Sequence, residues 1–317
     1  MSNPQHVALV ADLGGTKTAL GIVSCTGQVL HRDQIPTLAQ AGGTELARHT
    51  AEALKKLGAT ARELGYEPLG VGIGSAGVIG SEGQVITAAN LIKGWSGTPL
   101  ASILSDVTGL PAYAVNDVHA HALGEAWLGA SADAESSLMV AFGTGVGGSY
   151  IVGGQQLHGA HSLAGHVGHF SSPCALDIAC TCGGVGHVEA VASGTGIVNS
   201  YRRLGGPTEV ESLVEVKELA TTGDTHAQEA IALGARAAGI ALGDLATILD
   251  PHLILVSGGV TNLGDLWWQG MVQAYQQAAL GQATETRIIS ASLGSDAPLL
   301  GAASLIPDFI VRDSSGG

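Results

Sequence analysis

The chain has 317 residues, with 13 basic against 27 acidic side chains and a formal charge of −14. It is 45% hydrophobic and 13% charged, which excludes a disordered chain and is enough for one large or two ordinary cores. The acidic balance argues against a nucleic-acid partner; no apolar run reads as a membrane span, and the N-terminus MSNPQHVALVADLGG lacks the basic start of a signal peptide, so a cytoplasmic chain is expected.

Val7 to Ala11 reads as a buried strand ending at Asp12. Leu13-Gly14-Gly15-Thr16-Lys17 makes a tight turn, Thr18–Ser24 a second strand, Thr26-Gly27 a further turn, and Gln28–Gln34 a third strand. Thr44 is placed to cap a helix running to about Leu64. Leu69–Gly74 returns as a strand and meets Ser75-Ala76-Gly77. Leu100–Val107 is a short helix, Tyr113–Val115 a strand ending at Asn116-Asp117, and His119–Leu128 a helix.

The pattern then restarts. Ser137–Phe142 is a strand, Gly143-Thr144-Gly145-Val146-Gly147-Gly148 a turn, Ser149–Val152 a strand, Gly153-Gly154 a turn and Gln155–His158 a strand. The two strand–turn–strand–turn–strand runs form an internal repeat, which predicts two similar α/β halves. Helices follow over Glu189–Leu204, Thr225–Ile248, Leu266–Leu280 and Leu299–Leu305, with strands at Leu253–Ser257 and Ile288–Ala291.

Between the repeat and the late helices lies LAGHVGHFSSPCALDIACTCGGVGHVE, residues 163–189, which holds three of the four cysteines. His169, Cys180, Cys182 and His187 offer two imidazoles and two thiolates, a set that suits tetrahedral zinc. Glycines 183, 184 and 186 let the chain turn between candidate ligands. Cys174 is an alternative for one of them.

Asp12-x-Gly14-Gly15-Thr16 sets a carboxylate at a strand end beside backbone amides, a pattern that can hold phosphate oxygens and hydrated Mg²⁺. Gly143-Thr144-Gly145 repeats the turn. Asn116-Asp117 offers a strand-end carboxylate that can accept a proton from a substrate hydroxyl, beside an amide that can orient a sugar.

These motifs, in this order, resemble the ROK family of sugar kinases and repressors from Val7 to about Leu305. His169, Cys180-x-Cys182-Gly183 and Gly186-x-x-Glu189 resemble its zinc loop, with His187 where that family usually has a third cysteine. Gly165-His166-Val167-Gly168-His169 resembles its Gly-Glu-x-Gly-His segment, with His166 in place of the glutamate. VNDVHAHALGEAWLG resembles its catalytic segment, with Asp117 as general base and His119 at a position that is often asparagine.

The resemblance implies a duplicated actin-like ATPase fold, two α/β lobes with a cleft between them. It places one lobe at 1–117, completed by a C-terminal helix near 299–312, and the other at 118–298 with the zinc loop 166–189 inserted. It also implies a substrate wall of Gly77, Asn90, Asn116, His166, His169 and Glu189. The nucleotide would meet Asp12, Gly14, Gly15, Thr16, Lys17, Gly143, Thr144, Gly145, Gly258 and Gly259, with zinc as a structural ion.

The implied activity is transfer of the ATP γ-phosphate to the 6-hydroxyl of a sugar, with a homodimer as the expected assembly. The segment 163–169 is similar to that of bacterial N-acetylmannosamine kinases, which carry histidine at the position of His166; a glucokinase, or a kinase of another hexose or a cyclitol, is the alternative. A sugar-sensing repressor is the non-enzyme alternative. The early position of Asp12 and the acidic charge argue against it.

Overall fold

The structure is a computed structural model, and it describes residues 5–88 and 92–311. The chain order is β1 (Gln5–Leu13), β2 (Lys17–Ser24), β3 (Val29–Pro36), α1 (Gly43–Glu63), β4 (Tyr66–Ser75), β5 (Val78–Ile79), β6 (Val85–Thr87), α2 (Leu100–Thr108), β7 (Ala112–Asn116) and α3 (Asp117–Leu128). Then come β8 (Ser136–Phe142), β9 (Val146–Val152), β10 (Gln155–Gln156), α4 (Glu189–Ala192), α5 (Gly194–Arg203), α6 (Leu213–Thr221), α7 (Thr225–Leu249), β11 (Leu253–Ser257), α8 (Asp265–Ala278), β12 (Arg287–Ser290) and α9 (Ala297–Ser304).

The repeat is borne out by topology. One five-stranded sheet runs β3-β2-β1-β4-β7 and the other β10-β9-β8-β11-β12. In the first, β3, β2 and β1 pair antiparallel and β1, β4 and β7 parallel; in the second, β10 and β9 pair antiparallel and β8, β11 and β12 parallel.

The chain divides into two compact units, one drawn from residues 1–133, 151–164 and 292–317, the other from 134–150 and 165–291. This differs from a boundary at residue 117, because α3 packs on α9 and stays with the first unit.

In the first unit β1 is buried on both faces, and its side chains alternate. Val7, Leu9, Ala11 and Leu13 join the cluster under α1 and α2, while Ala8 and Val10 join the one under α9. Glycines bring α3 down onto α9. A Cβ on Gly124 would collide with the Ala297 carbonyl, and one on Gly301 with the Ala120 carbonyl. That close crossing sets the start of α3, and so Asp117, at the ends of the parallel strands.

The second unit is built round α7. Gly239 and Gly243 face α8 at Met271 and Ala278 with no space for a side chain. Length and composition alone would let this 25-residue helix cross a membrane, contrary to the expectation that no such run exists. Its Ala, Gly and Leu residues are core, packed with Trp267, Met271 and Tyr275 of α8.

Three local expectations are corrected. Gly42, not Thr44, precedes α1, without a side-chain cap. The helix expected over 189–204 breaks at Ser193, whose hydroxyl accepts from Gly196 N at 2.9 Å and starts α5. Leu213–Thr221, unassigned from sequence, is a helix opened by a Ser212/Glu215 capping box.

Candidate functional site

In the first unit the parallel pairing of β1, β4 and β7 brings three strand ends side by side. Asp12 is opposite Gly74, and Ser75 opposite Asn116. The β1–β2 turn closes with Gly14 N donating to Lys17 O at 3.1 Å. Thr37 braces it from β3's end, its hydroxyl donating to Gly14 O at 2.8 Å. Gly15, Thr16 and Lys17 are left exposed.

Asn116 caps α3 by accepting from Val118 N (2.9 Å) and His119 N (3.4 Å), and it donates to Gly77 O at 2.9 Å. Gly77 itself has φ +105, a backbone state that favours glycine. The amide therefore ties the Ser75-Gly77 loop to α3. Asn90, expected on the sugar, lies outside the described residues.

Burial pushes the Asp12 carboxyl up to about 6, and the Asp117 charge adds to this, while His121 opposes it. Burial also raises Asp117, partly offset by hydrogen bonds from Val118 and Asn116 and by His121. Two neighbouring carboxylates, neither fully compensated, are suited to a cation and to accepting a proton.

Sequence reasoning missed Glu125, two turns along α3 from Asp117. It is fully buried and accepts from Ala130 N, Ser292 N and Leu293 N, each at 2.8 Å. His121 Nε2 lies 3.8 Å away, between the two carboxylates in sequence. The i, i+4, i+8 spacing of Asp117, His121 and Glu125 was the available signal. His119 Nδ1 contacts Gln156 Nε2 at 2.5 Å.

In the second unit the Gly143–Gly145 turn and Gly258-Gly259 leave adjacent parallel strands, since Ala141 pairs with Ser257. Gly143 N donates to Gly145 O at 2.9 Å, and Thr144 is exposed between them. Gly258 has φ +93 and packs on the Phe142 carbonyl, while Gly259 faces open space.

Glu189, expected to grip sugar, is buried and held within this unit. It accepts from Val146 N at 2.9 Å, from the Thr181 hydroxyl at 2.5 Å and from the Cys180 thiol at 3.6 Å. A Cβ on Gly145 would come within 2.5 Å of its Oε2. The carboxylate thus ties the Gly143 turn to the cysteine loop. His166 is half-buried just before the 3₁₀ turn Val167–His169, and its carbonyl accepts from His169 N at 3.2 Å.

His169, Cys180, Cys182 and His187 converge, one ligand atom from each lying within 4.8 Å of all the others. Cys180 Sγ is 3.7 Å from His169 Nδ1, and Cys182 Sγ is 3.1 Å from His187 Nδ1. Bonds of about 2.0–2.3 Å to a tetrahedral zinc imply ligand separations of about 3.3–3.8 Å, so this set fits that ion with a small contraction. Burial pushes the Cys180 thiol up to about 11, with Cys182 and Glu189 beside it, so a divalent cation would favour its thiolate form. Cys174 is outside the group and packs against the core.

The ROK family model matches residues 8–308. A glucokinase from Halalkalibacterium halodurans is 32% identical over 96% of both chains. An N-acetylmannosamine kinase from Escherichia fergusonii is also 32% identical, over 94% of this chain and 97% of its own. Among solved structures, a ROK hexokinase from Thermus thermophilus superposes with a TM-score of 0.81 at 32% identity, covering 94% of this chain and 96% of that one. With this fold, this motif order and these relatives, the chain belongs to the ROK family and is an ATP-dependent carbohydrate kinase.

Proposed function

We propose that this kinase phosphorylates N-acetylmannosamine at O6 in preference to glucose. The observation that carries the reading is His166, which stands where the family pattern usually has glutamate. A carboxylate accepts from two adjacent hydroxyls. A neutral imidazole has one donor and one acceptor, and suits an acyl oxygen beside a single hydroxyl.

The chemistry assigned to the site follows from its carboxylates. The sugar O6 attacks the γ-phosphorus, the bond to the β,γ-bridging oxygen breaks, and ADP leaves. Asp117 takes the O6 proton, and its raised pKa makes it a better acceptor than a solvated aspartate. Asp12 would hold hydrated Mg²⁺, whose charge would offset that of the phosphates. The Gly14–Lys17 and Gly143–Gly145 turns offer backbone amides to phosphates, and Gly258-Gly259 lies against the nucleoside. Asn116, Gly77, Asn90, His166, His169 and Glu189 are the residues assigned to the sugar. Zinc on His169, Cys180, Cys182 and His187 is structural, because four protein ligands leave no open position. The homodimer belongs to the same reading.

A glucokinase is the second reading, favoured by glucokinase relatives at the same 32% identity as the N-acetylmannosamine kinases. Steady-state kinetics on both sugars separates the two. The wild type should show the higher kcat/KM with N-acetylmannosamine, and His166→Glu should move the ratio toward glucose by about 1–3 kcal/mol. A wild type that prefers glucose, with a ratio unmoved in the variant, leaves the glucokinase standing.

A further inference from the structure

Three glycines in the cysteine loop are there for different reasons. Gly183 (φ +88) and Gly186 (φ +82) adopt backbone states that disfavour other residues, and a Cβ on Gly183 would meet nothing within 4 Å. Gly184 is the reverse. Its φ is not in the left-handed region, so its backbone would accept an ordinary residue. Space forbids one: an added Cβ would lie 2.5 Å from Cε1, 3.0 Å from Nε2 and 3.3 Å from Nδ1 of His187.

The imidazole edge of His187 thus rests on the bare Cα of Gly184. Neither partner can readily give way. Gly184 O accepts from Cys180 N at 2.8 Å, inside the strand-like Ala179–Val185 bridge, and His187 is held by a bridge to Ser171. His187 Nδ1 is also fixed 3.1 Å from Cys182 Sγ.

We infer that Gly184 is a positioning residue for the metal site: its missing side chain is what allows an imidazole, rather than a thiolate, to serve as the ligand at position 187. The two atoms most crowded by a Cβ, Cε1 and Nε2, exist only in the histidine. A cysteine at 187 ends at Sγ and leaves that volume empty. The identities of residues 184 and 187 are therefore coupled through space. The inference rests on the zinc reading above and adds a condition to it.

Four proteins test it: the wild type, Gly184→Ala, His187→Cys, and the double variant. Metal content is measured by elemental analysis and zinc affinity by competition with a chromophoric chelator. Cobalt substitution adds a readout independent of activity, since the thiolate-to-cobalt absorption counts sulfur ligands. The wild type should hold about one zinc per chain with a two-thiolate cobalt spectrum. Gly184→Ala should bind zinc about 10–100-fold more weakly, the usual scale for losing a ligand's support. His187→Cys should keep zinc with a three-thiolate spectrum, and adding Gly184→Ala to it should cost little further.

A Gly184→Ala protein with wild-type affinity overturns the inference. So does a double variant as weak as Gly184→Ala alone, because the defect would then be in the backbone and not the ring. Zinc absent from the wild type overturns the zinc reading itself, and this inference with it.

Discussion

Asp117 and Glu125 lie two turns apart on α3, and their electrostatic positions are opposite. Burial raises both carboxyls. At Glu125, the nearby His121 and hydrogen bonds from Leu293, Ala130 and Ser292 outweigh burial and hold the group at about 2. At Asp117 burial outweighs the opposing partners, and the net shift is upward. One carboxylate fastens α3 to the chain leading into α9. The other is left under-compensated at the helix start, where a substrate hydroxyl would supply what is missing. Burial alone does not mark a functional carboxylate; an incomplete set of partners does.

The largest effect should come from Asp117→Asn. Turnover should fall at least about 10²-fold, the scale of a general base, while the thermal transition stays where it was or rises. Near-wild-type kcat in a folded variant would remove Asp117 from the chemistry and erase the contrast.

Glu125→Gln should do the opposite. An amide cannot satisfy the Ser292, Leu293 and Ala130 amides together, so unfolding free energy should drop by about 2–4 kcal/mol. Residual kcat at low temperature should stay close to wild type. Denaturant titration beside kinetics gives both numbers, and a variant that is stable but inactive would reverse the roles assigned to the two carboxylates.

Asp12→Asn is the smaller, sharper case. The folded pKa of Asp12, about 6, lies above its ordinary 3.8, so the folded chain binds that proton more tightly than the unfolded one. The contribution of Asp12 is therefore full below 3.8 and is lost as pH rises through about 6. Glu125 has the other sign: its contribution is full above 4.5 and fades as pH falls toward about 2. Asp12→Asn should thus gain on the order of 1–3 kcal/mol at pH 7, and its stability curve should flatten between pH 4 and 6, while activity is lost. An unchanged melting profile across that window would mean that Asp12 carries no buried charge.

The features most legible in sequence were those whose physics is local. The repeat could be read because each half carries glycine turns between short apolar strands. The His/Cys cluster could be read because its four residues lie within nineteen residues and are punctuated by glycine. Glu125 could not, since its partners Ser292 and Leu293 lie 167 and 168 residues away and act through backbone amides. The helix Leu213–Thr221 was announced by Ser212-x-x-Glu215, but it buries only Val216 and Ala220, too weak an apolar stripe to show. The Ser193 break was hidden because two short helices share one continuous helical pattern. The role of Gly184 depends on a ring three residues ahead that only coordinates reveal.

The seating of α9 on the first sheet has a consequence for synthesis. The cluster of Ala8, Val10 and Val23 is closed by Leu299, Leu300, Ala302 and Ala303 from the far end of the chain. The second unit's residues, 134–150 and 165–291, are made in between. At ribosomal rates of about 5–20 residues per second, β1 and β2 wait roughly 15–55 s with one face uncovered. Late in that interval, once Trp267, Met271 and Tyr275 of α8 have been made, the second unit has its own core, while the first unit is still a sheet lacking its lid helix. The first half of the chain to be made is thus the last to finish folding. Its exposed Ala-Val face is the part of the nascent protein that a chaperone would meet.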